Sequence, residues 1–140
     1  MNLSEKLINK YFTMAKNISQ LSDFPRYKLG AIFIYKGNII AAEKNSMKTN
    51  PLQKEYNKLR GFEAENINNG AVHAECACIL RTKNLDIDWG KVKVFIYREH
   101  KNGLKAPASP CPACRKALSD KGIKHLYYTG ENSIIYERLD

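Results

Sequence analysis

The alternation of helical and extended patterns along the chain constrains its fold more than any other feature of the sequence. Apolar residues that recur every three or four positions predict helices, and short apolar runs rich in β-branched residues predict strands. The predicted helices cover residues 1–20, 71–83 and 111–121, and the predicted strands cover 28–35, 39–42, 92–97, 123–129 and 133–139. This order, α-β-β-α-β-α-β-β, predicts an α/β fold in which helices cover one sheet.

The length and composition of the chain are those of one compact domain. With 140 residues and an apolar fraction of 44%, the chain can bury one continuous core. We therefore expect a single domain over residues 1–140. The longest irregular part is an insertion over 45–70, which carries one short predicted helix at 52–59. Long irregular segments in compact domains are often functional, but the sequence does not reveal the role of this one.

Hydropathy and net charge indicate which classes of partner to expect. No apolar stretch reaches the roughly 18 residues that a membrane span needs, and the first residues are charged and amphipathic. We expect a soluble, cytoplasmic protein with no membrane partner. The net charge of +9 points toward polyanionic partners. However, most of the basic residues are Lys and Asn is abundant, a composition that an AT-rich genome also produces without a functional cause.

The cysteines point to a metal site. Cys111 and Cys114 form a C-x-x-C sequence close to prolines in a chain for which we expect no export signal, and this favours a metal or redox site over a disulfide framework. Both lie at the start of a predicted helix, where unpaired N–H groups and the helix dipole favour thiolates. Three positions apart, they can direct both sulfurs to one point, and His73 can complete a three-ligand zinc site.

Glu75 gives this site the features of a catalytic centre. Three protein ligands leave one position of a tetrahedral zinc open, which distinguishes a catalytic zinc from a structural one. Glu75 lies two residues after His73. There it can take up a proton from water and return it, first to a ring nitrogen and then to a leaving amine. The hydrolytic removal of an amino group from a ring carbon requires such proton transfers.

The combined pattern resembles a known family. H-A-E at His73-Ala74-Glu75, followed by P-C-x-x-C at Pro110–Cys114, resembles the signature of the cytidine and deoxycytidylate deaminase superfamily, which also contains tRNA adenosine deaminases and APOBEC-type editors. The resemblance implies Zn²⁺ as the cofactor, with His73, Cys111 and Cys114 as its ligands and Glu75 as the catalytic acid and base.

Further segments share the resemblance and imply substrate contacts. Leu29-Gly30-Ala31-Ile32 resembles the V-G-A-V segment that lines the family's pocket, and Asn45 resembles the Asn that contacts the substrate sugar. Ser109 before Pro110 resembles the S-P-C form of APOBEC-type editors, where many relatives have E-P-C. The substrate-binding candidates that the resemblance implies are Gly30, Ala31, Asn45, Ala74, Ser109 and Pro110.

The resemblance also makes the expected fold more specific. It implies a three-layer α-β-α arrangement around a central five-stranded mixed sheet. No helix is predicted between the last two strands, so we expect them to be antiparallel. The stretch between Glu75 and Pro110 is longer than in compact members of the family, and we expect the excess in a loop over 98–108 beside the site.

Three functions stay open at this point. The first is zinc-dependent deamination of cytosine to uracil on a free nucleoside or nucleotide, most like deoxycytidylate deaminase, in a protein that the family leads us to expect as a homo-oligomer. The second is deamination of cytosine, or less readily adenine, in single-stranded DNA or RNA, which the charge favours. The third is a nucleic-acid-binding module with a structural zinc, which Cys76 and Cys78 could complete. The candidates for phosphate or nucleic-acid contacts are Lys44, Lys48, Arg98 and Lys101.

Overall fold

A computed structural model describes residues 3–24, 27–49, 71–100, 102–131 and 133–139. The helices in these ranges are α1 (Glu5–Ser19), α2 (Ala74–Arg81) and α3 (Pro112–Lys121). The strands are β1 (Tyr27–Tyr35), β2 (Asn38–Lys44), β3 (Ser46–Thr49), β4 (Ala71–Val72), β5 (Lys93–His100), β6 (His125–Thr129) and β7 (Ile134–Arg138). None of the helices in the described part of the chain is long and apolar enough to cross a membrane.

Five of these strands form one mixed sheet in the order β2-β1-β5-β6-β7. β5 and β6 are parallel, and the other neighbouring pairs are antiparallel. The parallel pair follows from the α3 crossover, because two parallel strands need a connection longer than a hairpin. The predicted α/β fold with a five-stranded mixed sheet is confirmed, and so is the antiparallel pairing of its last two strands.

Helices cover both faces of this sheet. On one face α1 places Phe12 edge-on against Phe95 of β5, with the ring centroids 5.3 Å apart. On the other face α2 and α3 pack against each other and bury residues such as Leu118 together with Val94 and Leu126 of the sheet. The two separate apolar clusters make the three layers α-β-α that the sequence predicts.

Gly30 allows α1 to lie directly on β1. A Cβ atom at Gly30 would lie 2.2 Å from the carbonyl oxygen of Ala15 and 2.7 Å from Cγ2 of Ile18. Such contacts are shorter than any side chain tolerates, so a residue with a side chain would force the helix away from the strand. The glycine therefore faces α1 and fixes the distance between these two layers.

Several predicted boundaries are wrong. The first helix begins at Glu5, and β3 lies within the insertion predicted to be irregular. Strand pairing explains two further differences. The helix predicted from residue 71 begins at Ala74, because Ala71 and Val72 extend beside β3 as β4. The strand predicted to end at residue 97 continues to His100, since these added residues pair with the start of β1. The expected loop over 98–108 is therefore shorter than predicted. The helix predicted at 52–59 lies outside the described residues.

Candidate active site

The beginnings of α2 and α3 bring the three predicted metal ligands together. His73 is the N-cap residue of α2 and has extended backbone angles. Cys111 is the N-cap residue of α3, followed by Pro112 in the first helical turn, and its sulfur accepts a 3.4 Å hydrogen bond from the backbone N–H of Cys114. Because the two helices pack side by side, their N-terminal ends, where the helix dipoles are positive, face the same point.

The distances between the donor atoms suit a tetrahedral metal ion. Nδ1 of His73 lies 3.1 Å from Sγ of Cys114 and 3.7 Å from Sγ of Cys111, and all three donor atoms lie within 4.8 Å of one another. Ordinary zinc bond lengths at a tetrahedral angle place nitrogen and sulfur ligands about 3.6 Å apart. One imidazole and two thiols at these separations therefore fit zinc.

The two thiols share their protons unequally. A hydrogen bond between the side chains of Cys114 and Cys111 lowers the pKa of the Cys111 thiol far below its ordinary range, and the His73 side chain lowers this pKa further. The same hydrogen bond, together with a contact to Cys76 and burial, raises the pKa of Cys114. These opposite pKa shifts favour the thiolate form at Cys111, and a cation bound between the sulfurs would favour it at Cys114 as well.

Glu75 lies buried next to these ligands. Only 3% of its surface is exposed, and burial raises the pKa of its carboxyl group, while the His73 side chain opposes that rise. Its Oε1 atom has no hydrogen-bond partner among the described residues. A buried polar oxygen without a partner is costly in a folded protein. The site is therefore prepared for a water molecule or a ligand that donates a hydrogen bond to Glu75.

A cavity of about 240 Å³ opens beside Glu75. It is somewhat smaller than the pockets of roughly 300–1,000 Å³ that hold drug-sized ligands, so it suits a small ring such as one nucleobase. The residues that line it are Tyr27, Leu29, Asn45, His73, Glu75, Arg98, Ser109 and Cys111.

Two of the predicted substrate-binding residues, Asn45 and Ser109, line this cavity. Asn45 is buried, and its amide also holds the beginning of β1: Oδ1 accepts a 3.1 Å hydrogen bond from the backbone N–H of Leu29, and Nδ2 donates a 3.3 Å hydrogen bond to the carbonyl oxygen of Tyr27. The amide therefore fixes the strand that forms one wall of the cavity. The substrate contacts predicted for Asn45 and Ser109 stay predictions.

The other substrate-binding candidates are not among the described residues that line the cavity. Ala74 and Pro110 are buried next to the ligand residues. Gly30 faces α1 on the opposite side of the sheet, and the carbonyl oxygen of Ala31 accepts a hydrogen bond from the thiol of Cys78. The substrate contacts predicted for these four residues stay predictions.

Among the predicted phosphate contacts, Arg98 lies in the cavity. Its guanidinium carbon lies 4.1 Å from the centroid of the Tyr27 ring, and Nη1 donates a 3.4 Å hydrogen bond to the carbonyl oxygen of Pro107. Lys44 lies on the edge strand β2 and its ammonium group is 4.0 Å from Glu43, away from the cavity lining. Lys101 and the side chain of Lys48 lie outside the described residues.

Tyr27 lines the cavity although sequence reasoning did not select it, and Leu29 lines it as part of the segment that resembles the family's pocket wall. Burial raises the pKa of Tyr27, and the nearby Arg98 opposes that rise. The signal that could have found Tyr27 is the two-residue period of β1, which places Tyr27 and Leu29 on one face of the strand and Gly30 on the other. Cys76 and Cys78 are buried on α2 and lie outside the group of candidate metal ligands among the described residues.

Comparisons with known proteins agree with this geometry. Residues 5–130 match a sequence family described as "Cytidine and deoxycytidylate deaminase zinc-binding region". The chain is similar to the apo structure of a dCMP deaminase from the cyanophage S-TIM5, with 25% identity, a TM-score of 0.65, and coverage of 94% of this chain and 88% of that one. Among curated protein sequences, none matches the chain.

Two further solved structures are similar. The complex of the cyanophage enzyme with dCMP and dUMP has 25% identity and a TM-score of 0.63, covering 91% of this chain and 83% of that one. A mutant cytidine deaminase from Mycobacterium tuberculosis has 16% identity and a TM-score of 0.56, covering 99% of this chain and 93% of that one. At this identity the last likeness concerns the fold alone.

The ligand set predicts how metal content responds to substitution. We expect the purified chain to hold about one zinc ion, and the change Cys114→Ser to remove most of it, because it replaces a soft thiolate ligand by a hydroxyl group. Elemental analysis after dialysis measures this content. The matched control is Cys78→Ser, another buried cysteine, which should keep its zinc. Full zinc content in Cys114→Ser would contradict the ligand assignment.

Proposed function

The chain belongs to the family of cytidine and deoxycytidylate deaminases, and we propose that it is a zinc-dependent enzyme that hydrolytically converts cytosine to uracil on a free nucleoside or nucleotide, releasing ammonia. The observation that carries the proposal is the unpartnered Oε1 of Glu75, buried beside the three ligands. The structural likeness to a dCMP deaminase supports the choice of a free nucleotide as substrate.

The residues of the site divide the chemistry among them. His73, Cys111 and Cys114 hold the ion, which when bound supplies Lewis-acid chemistry that makes water reactive near neutral pH. Glu75 accepts a proton from that water at Oε1 and delivers it to the ring nitrogen beside the reacting carbon. The oxygen of water forms a bond to that carbon, and Glu75 then moves the second proton of this water from the oxygen to the amino group, so that the bond to the amino group breaks and ammonia leaves.

Burial of Glu75 suits this proton transfer. The leaving amino group must take up a proton to depart as ammonia, and Glu75 is the acidic group that lines the cavity beside the ligands. Because burial raises the pKa of this carboxyl group, its protonated form is easier to reach near neutral pH than that of an exposed glutamate. The same residue can therefore act first as the base and then as the acid.

Replacing Glu75 tests the proposed reaction. We expect Glu75→Gln to lower ammonia release from dCMP at least about a hundredfold, since the amide cannot carry the proton, while zinc content and fold stay unchanged. Glu43→Gln is the matched control: this carboxylate lies on β2, pairs with Arg81 and is outside the cavity. Equal activity of Glu75→Gln and the wild type would contradict the role of Glu75.

Arg98 supports a phosphorylated substrate. Among the described ion pairs none includes Arg98, and its buried Nε has no hydrogen-bond partner among the described residues. Stacking on the Tyr27 ring holds the guanidinium at the cavity. A cation that is fixed in a pocket without a carboxylate partner favours an anionic ligand, and the guanidinium geometry suits phosphate.

This contact predicts a difference between two substrates. We expect Arg98→Gln to lower kcat/KM for dCMP about ten- to a hundredfold, as the loss of a charged hydrogen bond does, and to leave kcat/KM for deoxycytidine nearly unchanged. Steady-state kinetics with both substrates measure the ratio. Arg81→Gln, an exposed arginine paired with Glu43, is the control and should affect neither. Equal losses for both substrates would speak against a phosphate contact.

A polynucleotide substrate has less support. A single strand is held by a row of cations and aromatic residues that leads away from the active site. Among the described residues Arg98 is the cation that lines the cavity, and Lys44 lies elsewhere. The net charge of +9 is the remaining argument for this alternative. Assembly into a homo-oligomer stays an expectation from the family.

A further inference from the structure

A chain of hydrogen bonds connects the last strand of the sheet to the catalytic cavity. Glu137 on β7 accepts a hydrogen bond from Nη1 of Arg115 on α3. Nη2 of the same arginine donates a 2.9 Å hydrogen bond to Oγ of Ser109, and Ser109 lines the cavity. Arg115 thus joins a residue late in the sequence to one that lines the cavity.

Glu137, the first residue in this series of hydrogen bonds, has a second hydrogen-bond partner. The hydroxyl group of Tyr128 on β6 donates a 3.0 Å hydrogen bond to Oε1 of Glu137, while Arg115 binds Oε2. Both side chains of the ion pair are one third exposed, at 33% each, so the pair is screened less than one fully in water. With both carboxylate oxygens occupied, Glu137 has a fixed orientation and fixes the guanidinium in turn.

The orientation of the Ser109 hydroxyl follows from the chemistry of Arg115. A guanidinium group only donates hydrogen bonds, whereas a hydroxyl oxygen accepts through its lone pairs and donates its own hydrogen. Since Arg115 occupies a lone pair of Oγ, the hydroxyl hydrogen of Ser109 is directed away from the guanidinium and is available to another acceptor. The surface that Ser109 shares with Glu75 and Arg98 is the cavity.

We propose that the Ser109 hydroxyl donates a hydrogen bond to an acceptor oxygen of the substrate, and that Arg115 and Glu137 are the positioning residues that aim it. This inference rests on the proposed function and adds Arg115 and Glu137 to the residues on which substrate recognition depends. The acceptor is either the ring carbonyl oxygen, which every cytosine substrate carries, or a phosphate oxygen, which only the nucleotide carries. Parallel assays with deoxycytidine and dCMP distinguish the two.

The same contacts also join α3 to β7, so the test must separate aiming from mere stabilisation. If Glu137 only orients Ser109, replacing Glu137 lowers kcat/KM through its effect on the Ser109 hydroxyl group. Once that hydroxyl group is absent, replacing Glu137 should cause no further loss of kcat/KM. If the two substitutions instead weakened the fold independently, their losses of kcat/KM would multiply in the double variant. A double-mutant cycle between Ser109 and Glu137 therefore distinguishes the two roles.

The experiment compares Ser109→Ala, Glu137→Gln and the double variant, each loaded with zinc. We expect Ser109→Ala to lower kcat/KM about three- to tenfold, as the loss of one hydrogen bond does, and Glu137→Gln to lower it by no more than that. The double variant should be no worse than Ser109→Ala alone. Ser109→Thr keeps the hydroxyl group and should keep most of the activity. Zinc content and thermal unfolding are measured for every variant.

Asp120→Asn is the control on the same helix, because it breaks the exposed ion pair between Lys116 and Asp120. It should leave kcat/KM unchanged. If the wild type is active and Ser109→Ala has the wild-type kcat/KM for both dCMP and deoxycytidine, the inference is overturned and the proposed function stays intact. Losses that multiply in the double variant would also overturn it. A zinc-loaded wild type that deaminates neither substrate would overturn the proposed function and this inference together.

Discussion

The meeting of two helix beginnings at one point is the constraint on which the site depends. α2 begins after His73 and α3 begins after Cys111, and the packing of these helices on one face of the sheet brings the imidazole within 3.7 Å of both sulfurs. The helix dipoles favour negative charge there, which suits thiolates. Without this packing His73, which precedes Cys111 by more than thirty residues in sequence, would not lie close enough to the two cysteines to share an ion with them.

The remaining layers hold the walls of the cavity in place. Gly30 lets α1 lie directly on β1, so the helix supports this strand. The buried amide of Asn45 holds the beginning of the same strand through its hydrogen bonds to the backbone. Tyr27 and Leu29 project from this strand into the cavity. On the opposite wall, the ion pair of Arg115 with Glu137 ties the residues before Cys111 to the last strand. The cavity is thus defined by contacts between layers that are distant in sequence.

Much of this account could be predicted from the sequence, because its signals are local. Periodicity predicted the order of helices and strands, and the spacing of His73, Cys111 and Cys114 predicted the group of donor atoms that the structure brings together. The errors concern features set by distant partners. β4 forms because residues 71–72 pair with β3, and β5 is longer than predicted because β1 pairs with its end. No local pattern reports that Arg98 stacks on Tyr27 or that Glu137 reaches Arg115.

In the proposed reaction, water, Glu75 and the ion that His73, Cys111 and Cys114 would hold replace an amino group by oxygen. Mass spectrometry of the product formed from dCMP by the zinc-loaded protein in water enriched in heavy oxygen tests this directly. We expect dUMP that carries one heavy oxygen atom on its ring, with one ammonia released for each dUMP formed. Unchanged dCMP after prolonged incubation with fully zinc-loaded protein, or dUMP without heavy oxygen, would contradict it.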